Sequence, residues 1–481
     1  MCALPSPSSK SSDRPYRIGT LRYSRGGLIR LFLYFIVGGF AYSMVYQIDP
    51  RVLPILLRQE GASMQQISII IGSLTALLNS VVESVGAYQS DRTRSRWGRR
   101  IPYIFWATPL VTLFILSIPF SPALAARGEH IPMFAALFRH LPWVPLIATF
   151  AILITCYKVV YNLVAAIYLC LIADVVPASH LGRFHTLFRV VGAFSTFVGN
   201  YWLIGLTAVH GREVLFWMAG INLVGFLTIC FCVREGDYPP VEPAPPSSPG
   251  AVRDFLAVGF KHAIYRWTYL TRVLIFAANA TTPFILFFAQ EELHMTYDRT
   301  GKLLGYSSLL WIVIAYPIGR LLDRFGSVRS LQFTLTFGAI GYFVSFFLIR
   351  GEMSFLILAF VNTTLFWATW SSETMLAQQI FDRRRMGQLG AANSLVKSLV
   401  IAFGTSPFIG AYLDRITGYS STMTVPMAGE VAVGGFRFLY LILALIYACA
   451  LLSVLQVHKY WLRQGGPEHY RPPSDGPLAA T

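Results

Sequence analysis

Gly86-Ala87-Tyr88-Gln89-Ser90-Asp91-Arg92-Thr93-Arg94-Ser95-Arg96-Trp97-Gly98-Arg99-Arg100 and Gly319-Arg320-Leu321-Leu322-Asp323-Arg324-Phe325-Gly326-Ser327-Val328-Arg329 share one design. Each closes an apolar run with Gly, then Asp-Arg, then Gly or more Arg. Glycine lets two helix ends approach closely. Aspartate at a helix end can pair with arginine or with the N-terminus of a neighbouring helix. One such run could be simple charge at the end of a membrane span. Two at matching places point to an internal duplication. A latch of this kind holds one conformation and breaks in another, so gating is expected of Gly86, Asp91, Arg92, Arg96, Gly98, Arg99 and Arg100, and of Gly319, Asp323, Arg324 and Arg329.

Outward from these loops the chain is mostly apolar. Its 481 residues are 55% hydrophobic and 13% charged, with mean hydropathy +0.55. A soluble domain carries about 25% charged residues, so this is a polytopic membrane protein. Charge-free runs cover Leu31–Ile48, Gln65–Val82, Ile101–Ala126, Leu141–Ala173 (interrupted by Lys158), Val190–Val209 and Val214–Val233. After a polar gap come Val273–Gln290, Leu303–Gly319, Ser330–Ile349, Met353–Ser372, Ser398–Leu413 and Phe438–Val457. A span needs about 20 apolar residues, so twelve spans are expected, six on each side of the gap. The expected fold is all-α, with two pseudo-symmetric six-helix bundles.

Placing both tails and the even-numbered loops on one side gives that side 26 of the 39 basic residues, against 10 on the other and 3 within spans. The rule that basic loops stay inside makes the tails cytoplasmic. It also turns the net charge of +16 into a matter of topology, with anionic lipid headgroups rather than nucleic acid as partners. The expected organisation is a tail (1–26), a six-helix bundle (27–233), a linker (234–267), a second bundle (268–460) and a tail (461–481). The N-terminal tail is not expected to be a cleaved signal peptide. Six prolines between Asp237 and Gly250 make the linker extended. Phe255–Tyr269 is either an amphipathic surface helix or the cytoplasmic start of span seven. The six cysteines have neither disulfide nor metal-site spacing, and no metal is expected.

The paired loops and the six-plus-six layout resemble the major facilitator superfamily over nearly the whole chain. Within it, Ser90 to Pro102, and Ala173-Asp174-Val175-Val176-Pro177 followed by Gly182-Arg183, resemble the glycoside–pentoside–hexuronide:cation symporters and the sucrose–proton symporters. The resemblance implies alternating access. It puts Glu83 at the cation-site carboxylate and Lys397 at a span-eleven lysine. Sodium-using relatives carry a second acid where this chain has Asn79, and an acid in span four where it has Ala165. One carboxylate is a poor cage for a hard cation but an adequate proton carrier.

Ionisable residues at membrane depth are expensive, by about 2.5–3.5 kcal/mol or more, and mark function by default. At about 1.5 Å rise per residue, Glu83, Arg189, Glu373 and Lys397 all approach mid-membrane, and they form the expected coupling set. Lys158 falls nearer the outer mouth. Spans one, four, seven and ten offer Tyr42, Tyr46, Gln47, Lys158, Tyr161, Asn162, Asn279, Thr282, Asn362, Trp367 and Trp370 as solute contacts. Aromatic faces stack on sugar rings and amides bond hydroxyls. No phosphate-binding loop, zinc motif or serine elbow occurs, so neither an ATP-driven pump nor an enzyme is expected, no residue is read as catalytic and no cofactor is called for. The sequence points to a plasma-membrane secondary transporter, functional as a monomer, that moves a sugar, glycoside or similar small polar solute by proton symport. An uncoupled facilitator, an exporter of amphiphiles such as lysolipids, a transporter-like nutrient receptor and a membrane-embedded enzyme remain as alternatives.

Overall fold

Backbone in hydrocarbon must satisfy its polar groups within itself, which leaves the helix for long apolar runs. The computed structural model describes residues 16–18, 20–140, 143–238, 260–382, 386–417, 420–425, 429–470 and 472–473. Among them ten helices are long and apolar enough to cross a membrane, and the bent pair Ala263–Asn279 with Phe284–Glu291 makes eleven. One of the ten, Ser179–Cys232, is 54 residues long, more than twice what a core about 30 Å thick requires. It is two spans. His210 interrupts it with φ −127° and ψ 41°. Gly38 and Gly39, adjacent on the first helix, face Ile229 and Phe188 respectively. Residues so far apart in the chain reach one level only if the chain turns back at His210. Divided there, the count is twelve.

Spans one to six run Arg25–Gln59, 64–92, Ile101–Glu129, Pro145–Val175, 178–209 and 211–232. Spans seven to twelve run Ala263–Glu291 with its bend, Tyr297–Phe325, Ser327–Leu348, Glu352–Ile380, 386–416 and Gly435–Arg463. An even number puts the start of span one and the end of span twelve on one face, here called the terminal face; the other is the distal face. Helix starts are fixed by local chemistry. Ser24 accepts from Gly27 N at 3.2 Å, and Ser63 with Gln66 forms a reciprocal capping box. Between spans eight and nine Gly326, at φ +75°, makes the tight reversal.

Helices in lipid gain by packing backbones closely over small residues. A side chain at Gly225 would overlap Ala41, and one at Gly338 would overlap Tyr447. Buried polar pairs lock neighbours, as where Asn222 donates to Thr112 Oγ1 at 3.0 Å and Thr271 to Ser453 Oγ at 2.8 Å.

The two halves meet through their distal ends. Asp414 on span eleven accepts from the backbone N–H of Met64 (2.7 Å) and Gln65 (3.0 Å), the first residues of span two. Ser68 donates to the Ser406 carbonyl at 2.5 Å. Asn200 on span five donates to Ser308 Oγ on span eight at 2.7 Å. Glycines permit this approach: a Cβ at Gly410 would lie 2.5 Å from Gln65 Cα, and one at Gly301 would lie 2.6 Å from the Asn200 carbonyl. The distal face is closed.

Among the described residues two β-hairpins flank the bundle. Tyr16–Ile18 pairs with Leu21–Tyr23 on the terminal face, and Ser420–Val425 with Gly429–Gly434 between spans eleven and twelve. Span seven begins as the unbroken helix Ala263–Asn279, so the 263–269 part of the segment with two readings is the start of that span; residues 255–259 lie outside the described residues. Span one continues past Ile48 to Gln59, beyond the end of its apolar run. Pro50 cannot donate to a helical ladder, and the helix passes it through a wider π-helical turn, Ile48–Val52. Asp49 and Arg51, which the sequence places in a loop, are therefore inside the protein.

Candidate functional site

Lys158 on span four and Asp49 on span one form an ion pair, both buried. Stacked tyrosines wall it in. Tyr157 and Tyr161 rings lie 5.7 Å apart at 25°, and Tyr161 and Tyr42 lie 6.3 Å apart at 24°. The Lys158 ammonium lies 5.7 Å from the Tyr157 ring and 5.9 Å from the Tyr161 ring, close enough for cation–π attraction. Tyr161 OH donates to the Tyr42 carbonyl at 2.9 Å, and Asn162 to Asn79 Oδ1 at 2.5 Å. Gln47 donates to Thr196 at 3.3 Å and Arg51 to Asn200 Oδ1 at 2.5 Å. Asp49 Oδ1 and Gln47 Oε1 are buried acceptors without a partner among the described residues. Tyr46, one position before Gln47, is 49% exposed. Spans one, two, four and five thus bring Tyr42, Tyr46, Gln47, Lys158, Tyr161 and Asn162 together.

The second half answers with a pair of opposite polarity. Arg272 on span seven meets Glu373 on span ten, which is 2% exposed. Spans one and four correspond to spans seven and ten, so each half pairs an acid with a base across matching spans with the signs exchanged, although Asp49 lies 24 residues into its span and Arg272 nine. Arg272, which the sequence left in the polar gap, lies nine residues into its helix, about 13–14 Å along it. One turn further, Phe276 packs on Trp370 at 4.5 Å between ring centroids, and the Lys397 ammonium sits 3.8 Å from the Phe276 ring centre. Trp367 stacks on Trp311 of span eight at 6.4 Å and 14°. Asn279 lies at the span-seven bend, where Thr282 donates to it at 3.4 Å. Asn362 stands apart: it donates to Ser345 of span nine at 2.8 Å, inside a helix–helix contact.

Of the expected coupling set, Glu373 and Lys397 converge around Phe276 and Trp370. Arg189 is exposed and joins neither pair. The side chain of Glu83 lies outside the described residues; its backbone is on span two, whose 75–92 helix packs on the 386–400 helix that carries Lys397.

On the terminal face the first loop folds into a charged knot. Arg99 donates to Asp174 at 2.6 and 3.1 Å, and Arg100 to Asp174 at 3.1 Å and to Asp91 at 2.5 Å, with Ser90 a further partner. Burial works against the Arg99 charge, but the bonded Asp174 carboxylate, with Tyr238 and Asp91 beside it, more than offsets that and raises the guanidinium pKa above its ordinary value. Glu235, past the end of span six, accepts from the backbone N–H of Arg99, Arg100 and Ile101 at 2.9, 2.8 and 2.7 Å. It caps span three at the positive end of its dipole. Tyr238 covers Arg99 at 4.1 Å. Gly86 abuts Leu163 of span four so closely that a Cβ would overlap it. Arg92 and Arg96 are exposed around this knot. In the second half Arg324 and Arg329 are exposed, Gly319 has open space around it, and the Asp323 side chain lies outside the described residues.

Gly98 explains why the knot needs its glycine. It has φ +105°, and a Cβ there would overlap the Glu235 carboxylate. Gly98→Ala should cost about 1–3 kcal/mol, visible as a lower melting temperature of the detergent-solubilised protein. Gly182→Ala, at a helical glycine with nothing nearby, is the control. Equal melting of the two variants would remove the cap from the account of stability.

The model of the family described as the Major Facilitator Superfamily matches residues 35–405. The chain belongs to the major facilitator superfamily. Solved structures of the same fold agree with that membership. A bacterial homologue of the human lysosomal transporter Spinster, inward-facing and unoccupied, superposes with TM-score 0.63 at 12% identity, over 93% of this chain and 98% of that one. A D-xylose–proton symporter gives 0.61 at 14%, over 90% and 97%. A bacterial homologue of the iron transporter ferroportin gives 0.59 at 15%, over 89% and 99%. At such identities these likenesses concern fold alone. No curated protein matches the chain significantly. The chain is thus a transporter of this superfamily, and its distal face is closed.

Proposed function

We propose that this transporter is a proton-coupled symporter of a sugar, glycoside or similar small polar solute, working as a monomer in the plasma membrane with both termini cytoplasmic. One observation carries the reading: the buried Asp49–Lys158 pair lies against stacked tyrosines and the Asn79–Asn162 amides. Ring faces and amides suit a hydroxylated solute, and an ionisable pair beside them suits a proton. The basic terminal-side loops support the orientation. Asn79, at the place of the second acid of sodium-using relatives, supports a proton over sodium.

Glu83 is the proposed coupling carboxylate, on the helix that packs against the Lys397 segment. Burial raises such a group's pKa and a nearby cation lowers it, so movement between two surroundings loads and unloads a proton. In proteoliposomes with an imposed pH gradient, Glu83→Gln should abolish uphill accumulation of labelled sugar while leaving exchange down its own gradient largely intact. Vesicles of Glu83→Gln that still concentrate solute would move coupling to the Asp49–Lys158 pair, which Asp49→Asn would then disable. Uptake by the unaltered protein without response to pH would leave a facilitator. No uptake of any sugar in the panel would set aside the sugar reading.

A further inference from the structure

At the terminal-side edge of spans three and six lies a cleft of about 740 Å³ that the transport cycle leaves unexplained. Its wall is aromatic: Trp97 meets Phe105 edge to face at 5.2 Å, and Phe105 meets Phe231 at 6.0 Å. Its rim is basic, with Arg94, Arg96 and Arg234. Arg94 is committed, donating to the carbonyls of Asp91 and Thr93. Arg96 and Arg234 are exposed and make no hydrogen bond or ion pair among the described residues. Two acids also line the cleft. Glu235 is occupied by three backbone N–H groups, and Asp237 is exposed at the aqueous edge, its own N–H bonded to Thr20.

Toward the membrane the cleft opens on hydrocarbon. Trp106 is 70% exposed and Phe231 72%, and Leu110 and Leu113 on span three and Trp217 and Val224 on span six continue the exposed apolar band. Apolar surface of this extent on a membrane helix faces lipid, and tryptophan at its edge marks the headgroup level. An occupant must therefore be apolar on one side and anionic on the other. We propose that this cleft binds an acidic phospholipid of the terminal-side leaflet, its phosphate between Arg96 and Arg234 and an acyl chain along Phe105 and Phe231. Charge complementarity and the position at the hydrocarbon boundary select the lipid over a free anion, which would have no use for the aromatic wall. The proposal rests on membrane placement and not on the identity of the solute.

Brominated lipids quench tryptophan on contact, which makes Trp97 a reporter. The purified full-length protein would be titrated in mixed micelles with dibromo-phosphatidylglycerol or dibromo-phosphatidylcholine, and the Trp97 contribution taken as the difference from Trp97→Phe. The acidic lipid should quench it at several-fold lower mole fraction than the zwitterionic one. Each arginine near an acidic headgroup contributes about five-fold in affinity, so Arg96→Gln with Arg234→Gln should erase the preference, and Arg96→Lys with Arg234→Lys should restore much of it. Inorganic phosphate at millimolar concentration should not compete. The comparison of the two lipids on the unaltered protein stands even if the glutamine variant fails to fold. Equal quenching by both lipids, displacement by phosphate, or no quenching at all (as when the chain's own linker fills the cleft) would each overturn the proposal.

Discussion

Lys158→Ala should lower the stability of the detergent-solubilised transporter by about 3–5 kcal/mol, because it strands a buried carboxylate. Asp49 Oδ2 has Lys158 as its partner, and Oδ1 already has none among the described residues. No rearrangement on span one supplies a replacement cation cheaply, since Arg51 is committed to Asn200. Asp49→Asn combined with Lys158→Met removes both charges at similar volume and should recover most of the loss. Thermal melting followed by size-exclusion fluorescence measures both variants. If Lys158→Ala melts with the unaltered protein, the pair is solvated and the account of this site is wrong. The double variant should fold yet fail to bind solute as the parent does, since the charged wall beside Tyr157 and Tyr161 is gone.

Asp414→Ala should open the distal face. The carboxylate bonds two N–H groups at the start of span two from the opposite half. A hydrogen bond to a charged group contributes about 1.5–3 kcal/mol, so losing the latch should shift the closed–open equilibrium by roughly 10- to 150-fold. Ser68→Cys, at a position buried against Ser406, would become labelled by a membrane-impermeant thiol reagent from the distal side. Glu291→Gln is the internal comparison. Its bridge to Arg58 spans the same two halves at 3.4 Å but is solvent-exposed, and pairs of that kind contribute about 0–1 kcal/mol. Labelling of the Asp414→Ala background no faster than that of Glu291→Gln would show that packing alone closes this face.

Hydropathy exposes the spans because membrane helices need long apolar runs, and the two Gly…Asp-Arg loops are local enough to read directly. What the sequence hides has physical causes. Asp49 sits beside Pro50, and proline ordinarily ends a helix; only the π-helical turn Ile48–Val52 carries span one past it. Arg272 reads as loop charge because Arg266, Thr268 and Thr271 stand with it ahead of the apolar run, yet the helix starts at Ala263. In both cases the partner that makes the burial tolerable, Lys158 or Glu373, is more than a hundred residues away in the chain, and nothing local announces it. Both partners were legible as lone charges at depth, which is the signal that could have prompted a search for their counter-ions. Glu235 was invisible for a different reason. Its role as a helix cap for span three depends on the fold bringing the end of span six beside Gly98. Asn362 shows the converse: its span and residue type suggested solute contact, but the helix rotation points it at Ser345.

The exchanged signs of the two interior pairs have an electrical consequence. A charge carried through the full membrane field changes energy by about 2.3 kcal/mol per 100 mV. Asp49 with Lys158, and Arg272 with Glu373, each sum to zero, so voltage does no net work on either pair as the halves rock. Only the small dipole of each pair feels the field. The empty carrier can therefore return without lifting these four charges against the membrane potential, which is left to act on the other charges at depth, Lys397 among them, and on whatever the cargo brings.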